Sequence, residues 1–72
     1  MSCINADLNK QAELELEETN RTIEREYARL RSLGDRFRDV GERQIACRNY
    51  RTASLLKPED NTLKQLIVNL CQ

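Results

Sequence analysis

The stretch Leu30–Pro58 reads LRSLGDRFRDVGERQIACRNYRTASLLKP, and its spacing decides the fold. Leu30, Leu33 and Phe37 recur at i, i+3 and i+7, which places them on one face of a helix. Ala46, Tyr50, Ala53 and Leu56 repeat that period on a second segment. Small residues (Gly34, Ala46, Ala53) are interleaved with rings (Phe37, Tyr50). Two helices can therefore approach closely at the small positions while the rings fill the wider gaps, and burying those rings contributes several kcal/mol in total. Gly41 lies between the segments and can take the left-handed conformation that ends a helix at low steric cost. Pro58 ends the second helix, because the residue before a proline is pushed out of the helical region. The expected product is an antiparallel helical hairpin with Leu33, Phe37, Ala46, Tyr50 and Ala53 as its buried seam. Gly34 is expected to mark a close helix crossing at which alanine is tolerated on propensity grounds.

Leu30-x2-Leu33-Gly34-x2-Phe37, then Ala46-x3-Tyr50-x2-Ala53, then Pro58, resembles the tetratricopeptide repeat (TPR), a helix–turn–helix unit of about 34 residues with the pattern W-x2-L-G-x2-Y…A-x3-F…P. The one departure is Leu30, where Trp is commonest. The resemblance covers about half the chain, residues 27–60, and implies a binding or scaffolding role. Some TPR proteins clamp the C-terminal carboxylate of chaperones with a basic residue and an Asn four positions later. Here those places hold Arg31 and Asp35, and Asp35 repels a carboxylate, so the resemblance does not extend to chaperone-tail binding.

Upstream, Leu8, Ala12, Leu16, Thr19, Ile23, Tyr27 and Leu30 follow a helical stripe, with Glu17 and Arg21 spaced to form an i, i+4 pair. This predicts a helix over 6–26, capped by Asn5 or Asp7. Ala12, Leu16 and Thr19 also look like the second helix of a degenerate preceding repeat, with Glu24 where its proline would stand. The helix either runs straight into Leu30 or bends near Asn20–Thr22. Leu16, Ile23 and Leu30 are seven apart, a coiled-coil spacing, but the companion seam of Glu13, Asn20 and Tyr27 is a poor core.

Downstream, Glu59-Asp60-Asn61 reads as a helix start, with Pro58 in the first turn and acids at the positive end of the dipole. Leu63, Leu66, Ile67 and Leu70 make an apolar stripe, but Lys64 and Val68 break the repeat pattern. Residues 61–72 are thus read as a capping helix over the repeat, or as a third bundle helix. Part of their stripe is free to meet another chain.

With 72 residues, the chain 1–72 makes one small domain. Two Gly, one Pro and no strand-like alternation leave it all-α: a TPR-like hairpin between a long N-terminal helix and a C-terminal capping helix. The formal net charge is zero, which disfavours nucleic acid. The charge is unevenly spread, however. Residues 1–18 are acidic (Asp7, Glu13, Glu15, Glu17, Glu18 against Lys10), whereas 19–51 hold nine arginines against five acids. Such asymmetry favours antiparallel or head-to-tail association.

Cys3, Cys47 and Cys71 are odd in number and widely separated, and the chain has no His. Neither a disulfide framework nor a metal site is expected, and reduced thiols fit a cytoplasmic protein. No apolar run reaches the ~20 residues of a membrane span, and the N-terminus lacks the pattern of a signal peptide. No base stands ready for a nucleophile and no phosphate-binding loop is present, so neither an enzyme nor a cofactor is expected. The recognition chemistry lies in Arg21, Arg25 and Arg29, stacked at i, i+4 and i+8, with Arg31 and Arg38 beside them. Arginine forks suit carboxylates.

The expected function is protein–protein association or scaffolding. The partner is the chain itself or another subunit, giving a homodimer or heteromer, because a lone repeat needs neighbours to cover it. Partner-facing residues are expected to be Arg21, Arg25, Arg29, Arg31, Arg38, Leu63, Leu66, Ile67 and Leu70. The alternatives are a coiled-coil structural assembly subunit and a small helical co-chaperone of a secretion system.

Overall fold

The computed structural model describes residues 2–71, with side-chain surroundings from Lys10 onward. Three helices follow one another: α1 (Ser2–Asp39), α2 (Arg43–Leu56) and α3 (Asn61–Leu70). The chain is all-α, with no strand among the described residues. The first helix begins at Ser2, earlier than the expected start near Ala6, and runs without interruption through the expected boundary at residue 26. A separate preceding hairpin therefore does not form. With Glu24 where a proline would be required and no glycine before Gly34, nothing in the sequence stops the helix there.

α1 ends where Gly41 permits. Gly41 has φ +85°, and the turn is a Schellman motif: Glu42 N–H donates to the Phe37 carbonyl at 2.8 Å and Gly41 N–H to that of Arg38 at 3.1 Å. α2 then returns along α1. It stops at Leu56, one residue short of the Lys57-Pro58 pair. Pro58 lies in the connecting turn rather than in the first turn of α3, because Asp60 is the N-cap: its carboxylate accepts from Leu63 N–H at 3.1 Å. α3 reverses again and packs on α2. Gln72, the expected end of the third helix, lies outside the described residues.

The core is small and sits between α1, α2 and α3. Leu30, Ala46, Tyr50, Ala53 and Leu63 form it, with Tyr27, Phe37, Leu56, Leu66, Ile67 and Leu70 packed around the edge. Leu33, expected in the seam, is only half-buried and stands outside this cluster; the face that α1 turns inward runs through Tyr27, Leu30, Gly34 and Phe37. Gly34 is buried mid-helix, a crossing point and not a turn. The expectation that alanine would be tolerated there fails, since a Cβ on Gly34 would stand 2.5 Å from the Tyr50 ring.

Cys47 and Cys71 form a disulfide, with Cα atoms 5.8 Å apart across a sequence separation of 24. This overturns the expectation of reduced thiols. Folding α3 back along α2 carries Cys71, its C-cap, to the opening turns of α2, a juxtaposition that separation along the chain could not reveal. Because disulfides persist in oxidising surroundings, the thiols no longer argue for a cytoplasmic location. No helix among the described residues is long and apolar enough to cross a membrane.

The molecule is a rod of 60 × 19 × 13 Å with a radius of gyration of 17.5 Å, against about 11 Å for a compact chain of this length. The long axis is α1 itself, since 38 residues span roughly 57 Å. The core lies at one end of it. Every described side chain from Lys10 to Thr22 is exposed.

Candidate interaction surface

α1 divides by environment into a packed half and a bare arm. In the packed half, the hairpin is tied by polar groups at its edges. The Tyr50 hydroxyl donates to Asp35 Oδ1, linking α2 to α1, and Arg38 lies 3.7 Å from the same carboxylate. Burial, with help from the Asp35 hydrogen bond, pushes the Tyr50 phenol up to about 12. Asp35 thus has a structural task in the hairpin.

A second set of contacts fixes the start of α3. The Tyr27 hydroxyl donates to Asp60 Oδ2, and Arg31 Nη1 approaches Tyr27 Oη at 3.3 Å and Asp60 Oδ2 at 3.6 Å. Lys57 closes the group: its Nζ bonds Glu24 Oε2 at 2.6 Å and lies 4.6 Å from the centre of the Tyr27 ring. The Tyr27 hydrogen bond, then the Leu63 N–H, hold the Asp60 carboxyl below its ordinary value. Burial and then the Asp60 contact raise the Tyr27 phenol, and Glu24 raises the Lys57 ammonium. The α3 N-cap is therefore also an electrostatic anchor to α1.

The expected partner residues stand in different surroundings within the chain. Arg31 and Arg38 are engaged within the chain. Arg29 pairs with Glu26 at 2.6 Å, a contact that raises the guanidinium and lowers the carboxyl. Arg21 and Arg25 are exposed and make no ion pair among the described residues, so the expected Glu17–Arg21 pair is not formed. Leu63 is fully buried and belongs to the core; Leu66, Ile67 and Leu70 are half-buried against it. The apolar stripe of α3 thus largely covers its own chain.

The surface that sequence reading passed over is the outer face of α2 with the neighbouring side of α3. Arg43, Arg48 and Arg51 project from α2 beside the Cys47–Cys71 bridge. Leu55 (81% exposed) and Val68 (57%) continue the face, with Lys64 at its edge. Neither α2 nor α3 contains an acidic residue. That absence is visible in the sequence and was the available signal. Counting charge over 19–51 hid it, because the acids of that span sit on α1 and the turn.

Among the described residues no cluster of His, Cys, Asp or Glu is arranged to hold a metal ion. No family model, no curated protein and no solved structure matches this chain.

Proposed function

We propose that this chain is a non-enzymatic protein–protein association module built on a TPR-like hairpin, and that it self-associates or serves as an assembly subunit. One observation carries the reading: an arm of helix projects from the core with all its described side chains exposed, Leu14 (54%) and Leu16 (61%) among them. Isolated helices of that length are marginal in water, and most helical stability comes from packing an apolar face. The arm gains that packing only from another protein surface. The repeat resemblance supports the same conclusion, because stacking on neighbours is how such units bury their faces.

The test is molecular mass in solution, measured on the chain alone and after incubation with extract of its native cells. A mass above the 8.4 kDa of the single chain in either condition is expected. A single chain in both would remove the reading.

A further inference from the structure

We infer that the occupant of the basic outer face of α2 and α3 is the acidic arm of α1 from a second copy of this chain, so that two copies lie antiparallel with two equivalent contacts. The inference rests on the association reading above and names the partner and both surfaces.

The receiving face is both basic and apolar. At 3.6 residues per turn, Arg48, Arg51 and Leu55 share one side of α2, turned away from the buried Ala46, Tyr50 and Ala53. Lys64 and Val68 of α3 extend it. Arg43, Arg48, Arg51 and Lys64 make no ion pair among the described residues, and no acid on either helix offsets them. Arg48, Arg51 and Lys64 near exposed Leu55, with Arg43 further along α2, suit a ligand that is acidic and apolar together.

The arm has that composition in the matching arrangement. Residues 11–18 carry four acids and no base. The helical period puts Leu16 in line with Ala12 and Ile23, with Glu13 and Glu17 along one border of that stripe and Glu15 along the other. An apolar line fenced by carboxylates fits an apolar line fenced by guanidinium groups, and arginine forks bind carboxylates well. The arm is less suited to its own counterpart. Pairing two arms in parallel stacks the acids on themselves, whereas the face of α2 and α3 meets them with cations.

The placement closes on itself. The arm's acids centre on residue 15, while the basic face lies level with Gly34 and Asp35 of α1, which Tyr50 touches. The two surfaces stand roughly 30 Å apart along one rod at 1.5 Å per residue. A two-fold axis midway brings each arm onto the other copy's face, a closed isologous arrangement that does not run on into fibres.

The test is a charge swap read by sedimentation equilibrium, with circular dichroism confirming that each variant keeps its helix content. All substituted side chains are exposed. The face variant is Arg43→Glu, Arg48→Glu, Arg51→Glu; the arm variant is Glu13→Lys, Glu15→Lys, Glu17→Lys. Each alone should dimerise at least about tenfold more weakly than the natural chain, the sum expected of several surface ion pairs. Mixed in equal amounts, the two variants should recover a heterodimer, since each then offers what the other lacks. Natural-chain association should weaken as salt is raised. A natural dimer that both variants retain, or no recovery on mixing, overturns this inference and leaves the association reading standing. A natural chain that is single alone but heavier in extract does the same. A natural chain that stays single in both conditions overturns both.

Discussion

The ring of Tyr50 occupies the space that a side chain on Gly34 would fill: a Cβ there would lie 2.5 Å from Cε1 and 2.6 Å from Cδ1. Glycine at 34 and tyrosine at 50 are thus one feature, a ring on α2 set close against bare backbone on α1. Gly34→Ala should destabilise the chain by about 1–3 kcal/mol through overpacking, despite the helix propensity it adds. Urea unfolding followed by circular dichroism checks this. Gly34→Ala as stable as the natural chain would show that the ring can move aside.

Ala46→Leu should also overpack, by about 1–3 kcal/mol, because Ala46 has no exposed surface and lies in the same seam. The same unfolding measurement applies. An unchanged midpoint would mean that α2 is not seated on α1 as described.

Tyr50 makes stability sensitive to alkali. Its phenol titrates near 10.0 when unfolded and about 12 when folded. Raising the folded value means that the neutral form is the one the fold favours. The contribution is complete below pH 10 and is lost as pH rises towards 12. The thermal midpoint should fall across that window. In Tyr50→Phe, which keeps the ring and drops the hydroxyl, this portion of the fall should be absent. An identical alkaline profile in both proteins would contradict the assignment.

Asp60 has the opposite sign. Its carboxyl is held below the ordinary 3.8, so its contribution is present above that value and is lost as pH falls below it. Acid should loosen α3 before the hairpin. Hydrogen exchange measured at pH 5 and pH 3 should show protection of the α3 amides lost first, and Asp60→Asn, a capping residue without the charge, should lessen that difference. Equal loss across α2 and α3 would contradict a local anchor.

The disulfide closes a separation of 24 residues, and reducing it should cost about 3 kcal/mol by loop entropy. Denaturant unfolding with and without reductant measures this, and non-reducing peptide mapping should recover Cys47 joined to Cys71. Finding both thiols free in the natural protein would restore the earlier expectation.

The hairpin was legible in the sequence because its signals are local: periodic apolar positions, Gly41 in the turn and Pro58 beyond the second helix. Of the expected seam, Ala46, Tyr50 and Ala53 are buried, Phe37 lies half-buried at the edge, and Leu30 takes the place of Leu33. Residues one turn apart share a stripe, and only the crossing angle decides which of them points at α2. The disulfide and the anchor at Asp60 were not legible. Both join positions separated by more than 20 residues: Cys47 meets Cys71 only once α3 folds back along α2, and Tyr27 meets Asp60 only once α2 has returned along α1. Of the arginines, spacing identified the ridge at 21, 25 and 29, but not that 31 and 38 are engaged within the chain. It also missed the face of α2, whose character comes from acids that are absent.

Sedimentation equilibrium of the natural chain at micromolar concentration decides whether two copies associate. A concentration-dependent mass rising from 8.4 kDa towards twice that value is expected, reached at lower concentration in low salt than in high. A constant mass of 8.4 kDa at all concentrations and salts, unchanged when native extract is added, would contradict association.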